Sequence, residues 1–522
     1  MQSYNLGLFF LIALPFLLLN RVGFWMLFKK AGVSPWKSLV PFLNWWHWVK
    51  MVGRPTYYFF LLFVPIVNPI IWFTLSIDLL KSFGRFKFSE QVLGTLFQFA
   101  YTVYMGLKKE IVYLGPAESE AFQEKYKKTK SFGRDWADAI WFAVMVASLV
   151  RMIYVEPYQI PTSSMERSLR VGDYLFVSKI HNGFRIPSTP VAIPFVHRDL
   201  AGVTSYHSSI VMPYMRFPGW VKVKSGDATV FNWPEDDSEY PTDKKMNFIK
   251  RCVGEPGDTI RVKNGRIFIN QTLIPKIDQE QTSYVVGTLR YPINEKALDK
   301  MDIYDYVPMV FYGDTVDRNG NVVNYYYNWY TNFPAKSNIR RIPFHNLMVM
   351  NTTPKMVEAL REKGIIDMYL KEMDRPTSVY PKTGEAPFVD QTFDNCGPYY
   401  CPKRGDVIDV SNKFNFDLYK SVIMRYEDEE DISSDGYSLF KNGVKIKNYT
   451  FKYDYYWMMG DNRHNSADSR DWGFVPESHI LGKPLMVLFS IQYKGVLIPS
   501  GLGERQNKFY KLRLNRLFKS IN

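Results

Sequence analysis

Residues 247–260 read NFIKRCVGEPGDTI. Phe248, Ile249, Cys252 and Val253 form an apolar run of strand length, closed by a Pro-Gly-Asp turn at 256–258. Lys250 interrupts that run. A lysine flanked in this way is a candidate for partial burial, which disfavours the ammonium and lowers the pKa towards the range of a general base.

The same texture extends in both directions from about residue 156. Short runs rich in Val, Ile, Tyr and Phe (YLFVSKI, ATVFNW, TIRVKNGRIFIN, DVIDVSN, PLMVLFSI) are separated by Gly-Asp, Pro and Asn turns. Their length and punctuation predict strands, so this part is expected to be mainly β. Residues 354–373, PKMVEALREKGIIDMYLKEM, read instead as a helix, and the stretch from about 261 to 450 reads as an insertion or second lobe.

Before residue 156 the chain is different. Apolar runs at 6–28, 57–80, 92–107 and 136–155 are candidate membrane spans. The last, WADAIWFAVMVASLVRMIYV, has twenty residues, enough at helical rise to cross the roughly 30 Å of a bilayer core. KYKKTKSFGR precedes it and VEPYQIP follows it, which places residues before 136 in the cytoplasm and those after 155 outside. The leading MQSYN lacks Lys and Arg while Lys29 and Lys30 follow the first run, as expected for a retained helix with an external N-terminus. Four crossings satisfy both ends, although Lys81, Arg85 and Lys87 then fall in an external loop against the usual bias. Asp78 is read either as an intramembrane functional group or as the partner of Lys81.

The expected organisation is therefore a membrane module over 1–110, a basic linker over 111–135 and an anchor helix over 136–155. A catalytic core in two parts follows, 156–260 and 451–495, around an inserted lobe at 261–450. A basic tail, 496–522, is read either as a solvated terminus or as a segment lying on anionic lipid.

The formal charge of +14 supports the same division. Residues 1–136 hold sixteen Lys and Arg against seven Asp and Glu, 16 − 7 = +9, mostly beside apolar segments. No nucleic-acid-binding module accompanies the charge, so nucleic acid is not expected as a partner. Three cysteines, Cys252, Cys396 and Cys401, are too few for a disulfide scaffold and lack zinc-ligand spacing. No metal and no cofactor are expected. Cys396 and Cys401 are read as either a pair or two free thiols, and Cys252 as a small buried residue.

Two further segments bear polar chemistry. EPYQIPTSSMERSLRVGDYLFVSK, residues 156–179, places Ser163 and Ser164 just after the last apolar span. YWMMGDNRHNSADSRDWGFVPESHILGK, residues 456–483, gathers Asp461, Asn462, Arg463, Ser466, Asp468, Ser469 and Arg470 within ten residues. Alone, each is compatible with an ordinary loop.

In order along the chain, IPTSSM with VGDYLFV, SGDATVFNWP, FIKRCVGEPGD and MMGDNRHNSADSRDWGFVPE resemble the boxes of bacterial type I signal peptidases. The resemblance spans about 136–260 and 450–490. It implies a mainly β, signal-peptidase-like catalytic domain anchored by N-terminal transmembrane helices, with a Ser-Lys dyad in place of Ser-His-Asp. By position it makes Ser164 the nucleophile and Lys250 the general base. Thr162 becomes the side-chain donor to the oxyanion beside the backbone N–H of Ser164. Ser466 would aim the lysine amine, Asp468 and Arg470 would form a supporting ion pair, and Gly460 would keep the backbone close to the lysine. Asp461 and Arg251 join the supporting residues. Tyr158, Ile160 and Ile249 would line shallow pockets for small side chains, implying Ala-x-Ala cleavage signals. The implied partners are preprotein signal peptides and membrane lipid, with the secretion machinery as a further candidate, at the inner membrane with the catalytic domain outside. Residues 1–110 and 261–450 have no counterpart in the family's minimal pattern.

Two other enzyme readings fit less well. A self-cleaving repressor-type Ser-Lys protease would need a DNA-binding module. SLFK at 438–441 and KTG at 382–384 occur in the wrong order for a penicillin-binding site and lack an intervening S-D-N. A catalytically silent membrane chaperone would be indicated by loss of Ser164 or Lys250, and both are present.

Overall fold

The computed structural model describes residues 6–64, 67–126, 132–193, 195–200, 202–236, 240–289, 291–308, 310–316, 322–328, 331–333, 346–371, 379–382, 388, 390–427, 431–494 and 508–521. The chain divides into two compact units. One comprises Met1–Glu156 with Gly183–Gly219, the other Pro157–Asn182 with Trp220–Asn522. The excursion at 183–219, expected within the catalytic core, therefore belongs to the first unit.

The first unit is helical up to residue 153. Helices Leu6–Lys30 and Phe132–Ile153 are long, and among the described residues one helix, Asp135–Ile153, has the length and apolarity to cross a membrane. The expected spans at 57–80 and 92–107 are each broken in two: Tyr57–Leu61 with Asn68–Ser82, and Phe88–Leu96 with Gln98–Leu107. Pro69 in the first turn of Asn68–Ser82 offers no amide to a preceding turn, which accounts for the first break. Fifteen residues of helix rise about 22 Å, short of a bilayer core. Asp78 is 1% exposed and pairs with Lys81 as anticipated, but its shorter contact, 2.7 Å, is to Arg54.

The second unit carries most of the β structure; the first adds the short pair Asp199–Leu200 and Val203–Thr204. Strands β1 (Val155–Gln159), β2 (Asp173–Ser178), β3 (Ala228–Asn232), β4 (Asn247–Gly254), β5 (Tyr455–Met459), β6 (Val475–Pro476) and β7 (Ile480–Lys494) bond in the order β1-β2-β7-β3-β4-β5-β6. Alternation along β3 splits its burial. Val230 joins Ile160, Met165, Leu175, Val177 and Val487 in one core, while Phe231 joins Cys252, Met458, Trp472 and Ile480 in another. Apolar matter on both faces explains why ATVFN and YYWMM read as continuous rather than alternating runs.

Strands β8 (Lys508–Leu512) and β9 (Lys519–Ser520) both add to β7. Where it is described the basic tail is thus paired with the sheet, while Leu512, Leu514, Leu517 and Phe518 stay exposed. Arg516 is 3% exposed and forms a two-pronged pair with Asp173 at 2.5 and 2.9 Å.

The expected single insertion resolves into two parts. Residues 282–371 build a four-stranded sheet in the order Tyr306–Pro308, Leu347–Thr352, Thr282–Gly287, Met368–Lys371, with a core of Tyr284, Val286, Leu298, Met350, Val357 and Leu360. Residues 396–451, including helix Lys413–Tyr426, instead share a core with Tyr455, Trp457 and Met459 of β5. The expected helix over 354–373 stops at Glu362, after a Thr353 cap and Pro354 in its first turn. Gly364 is left-handed at φ 64°, its N–H bonds Arg361 O and that of Ile365 bonds Leu360 O, which closes the helix and frees Met368–Lys371 to become a strand; residue 373 lies outside the described residues. In TIRVKNGRIFIN, Asn264 and Gly265 take φ 51° and 68° and link two paired strands, the tight hairpin that Asn-Gly favours. No disulfide joins Cys396 to Cys401.

Candidate active site

Strand β4 lies between β3 and β5, with Lys250 opposite Thr229 and Arg251 opposite Met459. Its interior position buries Lys250 to 4% exposure. From there the amine donates to Ser164 Oγ at 2.7 Å, across 86 residues of sequence. Ser164 is held on a single 3-10 turn, Ser163–Met165, whose Met165 is fully buried and acts as an apolar peg beneath the hydroxyl. Thr162 Oγ1 is 3.5 Å from Ser164 Oγ on the residue preceding the turn.

Burial lowers the Lys250 pKa from 10.5 to about 8, against the attraction of Asp468, Asp461 and Asp471. Two of these acids, Asp468 and Asp461, are already matched by arginines. Asp468 takes Arg470 in a two-pronged pair at 2.9 and 2.7 Å, with exposures of 0% and 1%. Asp461 takes Arg251 at 2.8 and 2.7 Å and also accepts from Ser168 Oγ at 2.6 Å. Burial alone would raise the Asp468 pKa, but the Arg470 guanidinium holds it below the ordinary carboxylate range. The amine therefore lies in a dry setting with no acid of its own, and the Phe248 ring is 5.3 Å away.

The loop after β5 fixes the serine turn from the other side. A Cβ on Gly460 would stand 2.6 Å from Ser164 O and 2.2 Å from Ser466 Oγ, so only glycine permits this approach. Gly460 N–H donates to Asp468 Oδ2 at 3.1 Å, which ties the approach to the Asp468 and Arg470 pair. Ser466 lies in this cluster, but its hydroxyl donates to Ala467 O at 3.4 Å; the bond to the lysine amine implied by the resemblance is not made here. Tyr158, Ile160 and Ile249 meet in one apolar cluster with Met165 and Val230. Sequence-derived residues from segments up to about 310 residues apart thus meet around β4, with Ile249 on the opposite face of the strand from its neighbour Lys250.

Other participants have no role read from the sequence, although Asn462 and Asn465 lie in the polar cluster after β5. Asn462 N–H donates to Ser164 O at 3.1 Å and its side chain to Ser163 O at 3.2 Å. Asn465 Nδ2 donates to Ser163 Oγ at 3.0 Å. Asp305, in the 282–371 part, accepts from both asparagines. Among the described residues no group of three or more His, Cys, Asp or Glu is placed to hold a metal. A hydroxyl hydrogen-bonded to a buried, easily neutralised amine can lose a proton to it, the first requirement of nucleophilic hydrolysis.

The comparison with known families gives this arrangement its class. The model described as "Signal peptidase, peptidase S26" matches residues 133–353 and 402–489, more than half of the chain, which makes the protein a peptidase. The chain belongs to the S26 signal peptidase family. Signal peptidase I of Buchnera aphidicola subsp. Acyrthosiphon pisum is 23% identical over 447 residues, 85% of this chain and 95% of that protein. Signal peptidase I of Buchnera aphidicola subsp. Baizongia pistaciae is 22% identical over 378 residues, 72% and 83% of the two chains. Signal peptidase I of Pseudomonas aeruginosa is 28% identical over 141 residues, 27% and 39% of the two chains. The family match includes 261–353, which the sequence boxes left unassigned, and residues 36–116 match a family of unknown function, DUF5684.

Proposed function

We propose that the protein is a membrane-bound serine endopeptidase that removes N-terminal signal peptides from secreted preproteins. The observation that carries this reading is the 2.7 Å bond from the buried Lys250 amine to Ser164 Oγ. In the proposed cycle neutral Lys250 accepts the Ser164 proton as Oγ attacks the scissile carbonyl. Thr162 Oγ1 and the Ser164 N–H donate to the oxyanion that forms. The lysine then returns the proton to the leaving amine; neutral again, Lys250 takes a proton from water as it attacks the acyl carbonyl and passes it to Ser164 Oγ as the acyl–oxygen bond breaks. Arg251, Asp461, Gly460, Asp468 and Arg470 hold the dyad in place without touching the scissile bond, and Ser466 aims the lysine amine once its hydroxyl turns from Ala467 O. Tyr158, Ile160 and Ile249 favour small side chains beside the cut, hence Ala-x-Ala.

Anchoring is part of the same proposal. Helix Phe132–Ile153 ends eleven residues before Ser164, with basic residues before it and none in VEPYQIP after it. This charge pattern favours a catalytic unit on the external face of the inner membrane, where signal peptides emerge from the bilayer. Lipid is thereby a partner, tethering raises effective substrate concentration, and the secretion machinery is a candidate neighbour. The apolar run at 6–28 of the sequence would, as a further crossing, make the chain multi-pass.

The test is to incubate the full chain in detergent with a preprotein bearing an Ala-x-Ala junction and to sequence the product's new N-terminus. Cleavage directly after the second alanine is expected; an intact preprotein, or cuts scattered through the mature region, would refute the reading.

A further inference from the structure

We propose that Asp305 is a positioning residue for the nucleophile, fixing the Ser163 and Ser164 turn through Asn462 and Asn465. This inference rests on the reading of Ser164 as nucleophile. Asp305 stands between helix Glu295–Lys300 and strand Tyr306–Pro308, in the part of the chain that has its own core, and it is 8% exposed. One oxygen, Oδ2, receives three side-chain amides: Asn462 at 2.6 Å, Asn465 at 3.0 Å and Asn351 at 3.0 Å. Asn351 is itself fixed, accepting from Ser283 Oγ at 2.5 Å and donating its backbone N–H to Asp305 O at 2.9 Å.

The two other asparagines face the serine turn. Asn462 Nδ2 holds Ser163 O at 3.2 Å while its backbone N–H holds Ser164 O at 3.1 Å. Asn465 Nδ2 holds Ser163 Oγ at 3.0 Å. The carbonyls of Ser163 and Ser164 are thus both gripped by Asn462, and the orientation of its amide is set by a carboxylate 157 residues away in sequence. An ionised acceptor suits this task, since charge-assisted bonds are shorter and about twice as strong as neutral ones. The backbone reinforces the junction: Gln281 N–H donates to Asp461 O and Arg463 N–H to Gln281 O, both at 2.9 Å, so residues 461–463 are stitched to the segment leading into strand Thr282–Gly287. The 282–371 part therefore acts on the reaction through the position of Ser164, without contributing a group to the dyad.

Cleavage kinetics of the full chain on the Ala-x-Ala preprotein test this, with Asp305→Ala, Asp305→Asn, Asn462→Ala, the Asp305→Ala/Asn462→Ala double variant and a Ser164→Ala control. Asp305→Ala is expected to lower kcat roughly 10- to 100-fold, the scale of a small misplacement of reacting groups. KM should stay within about twofold, and the pH midpoint of kcat, which belongs to Lys250, should not move. Asp305→Asn keeps the shape and one acceptor but not the charge, so its kcat should fall between those of Asp305→Ala and the parent chain. The double variant should lose no more than the worse single variant, because both act on one element. Parental kcat in Asp305→Ala, or losses that multiply in the double variant, would overturn the proposal. If Asp305→Ala does not fold, parental kcat in Asp305→Asn would overturn it equally. Undiminished cleavage by Ser164→Ala would instead overturn the reading of the nucleophile.

Discussion

Lys250 Nζ and Ser164 Oγ are 2.7 Å apart, with their residues 4% and 8% exposed. In the proposed cycle the pair acts as base and nucleophile only while the amine is neutral, and burial lowers its pKa to about 8. The rate constant for cleavage is therefore expected to rise through pH 8 and level off above it, approaching tenfold per pH unit on the acid side. A pre-steady-state pH series on a single preprotein measures this; a flat profile between pH 6 and pH 9 would contradict a lysine base.

The same burial has a consequence for stability. With a folded pKa of about 8 against 10.5 for an ordinary lysine, the unfolded chain binds more protons between those values, so stability rises with pH across that window. Lys250→Met removes the term. Its melting temperature should exceed the parent's below pH 8, where the gain is about 3 kcal/mol, and the gain should disappear towards pH 10.5. Melting curves in detergent at three pH values decide it, and a variant less stable at every pH would refute the desolvation account.

Gly460→Ala should be nearly inactive. Its Cβ would fall 2.6 Å from Ser164 O, a backbone atom that cannot rotate away, so the nucleophile must shift. A loss of roughly a hundredfold in kcat, with a modest fall in melting temperature, is expected. Full activity would show that the serine turn tolerates displacement.

Asp468→Ala leaves the Arg470 guanidinium, 1% exposed, without its carboxylate. Breaking a buried pair from one side costs about 3–5 kcal/mol, so denaturant midpoints should fall sharply for Asp468→Ala and for Arg470→Ala. The double replacement by Leu should cost less than either. Strictly additive losses would refute the pairing.

Much of the site was legible because its chemistry is local. Lys250 in an apolar strand, the two serines just after the apolar run at 136–155 and the Asp468 and Arg470 cluster each lie within one short word of sequence, and the strand words all became strands. The parts that were not legible are tertiary. Asp305 looks like any loop acid, and nothing in its neighbours tells of three asparagine amides arriving from 351, 462 and 465. Composition marked 57–80 as one span, whereas Pro69 divides it. The tail read as either a solvated or a lipid-lying end, and its strand pairing with β7 was not legible because contacts such as that of Arg516 with Asp173 join residues 343 apart.

The central claim is that Ser164, and not its neighbour, is the group that Lys250 activates. Cleavage of the Ala-x-Ala preprotein by Ser164→Ala, Ser163→Ala and Lys250→Ala, compared at equal concentration near pH 8.5, tests it most directly. Ser164→Ala and Lys250→Ala are expected to lose at least about a thousandfold while Ser163→Ala loses no more than about tenfold. Substantial cutting by either of the first two, or abolition by Ser163→Ala alone, would contradict the account.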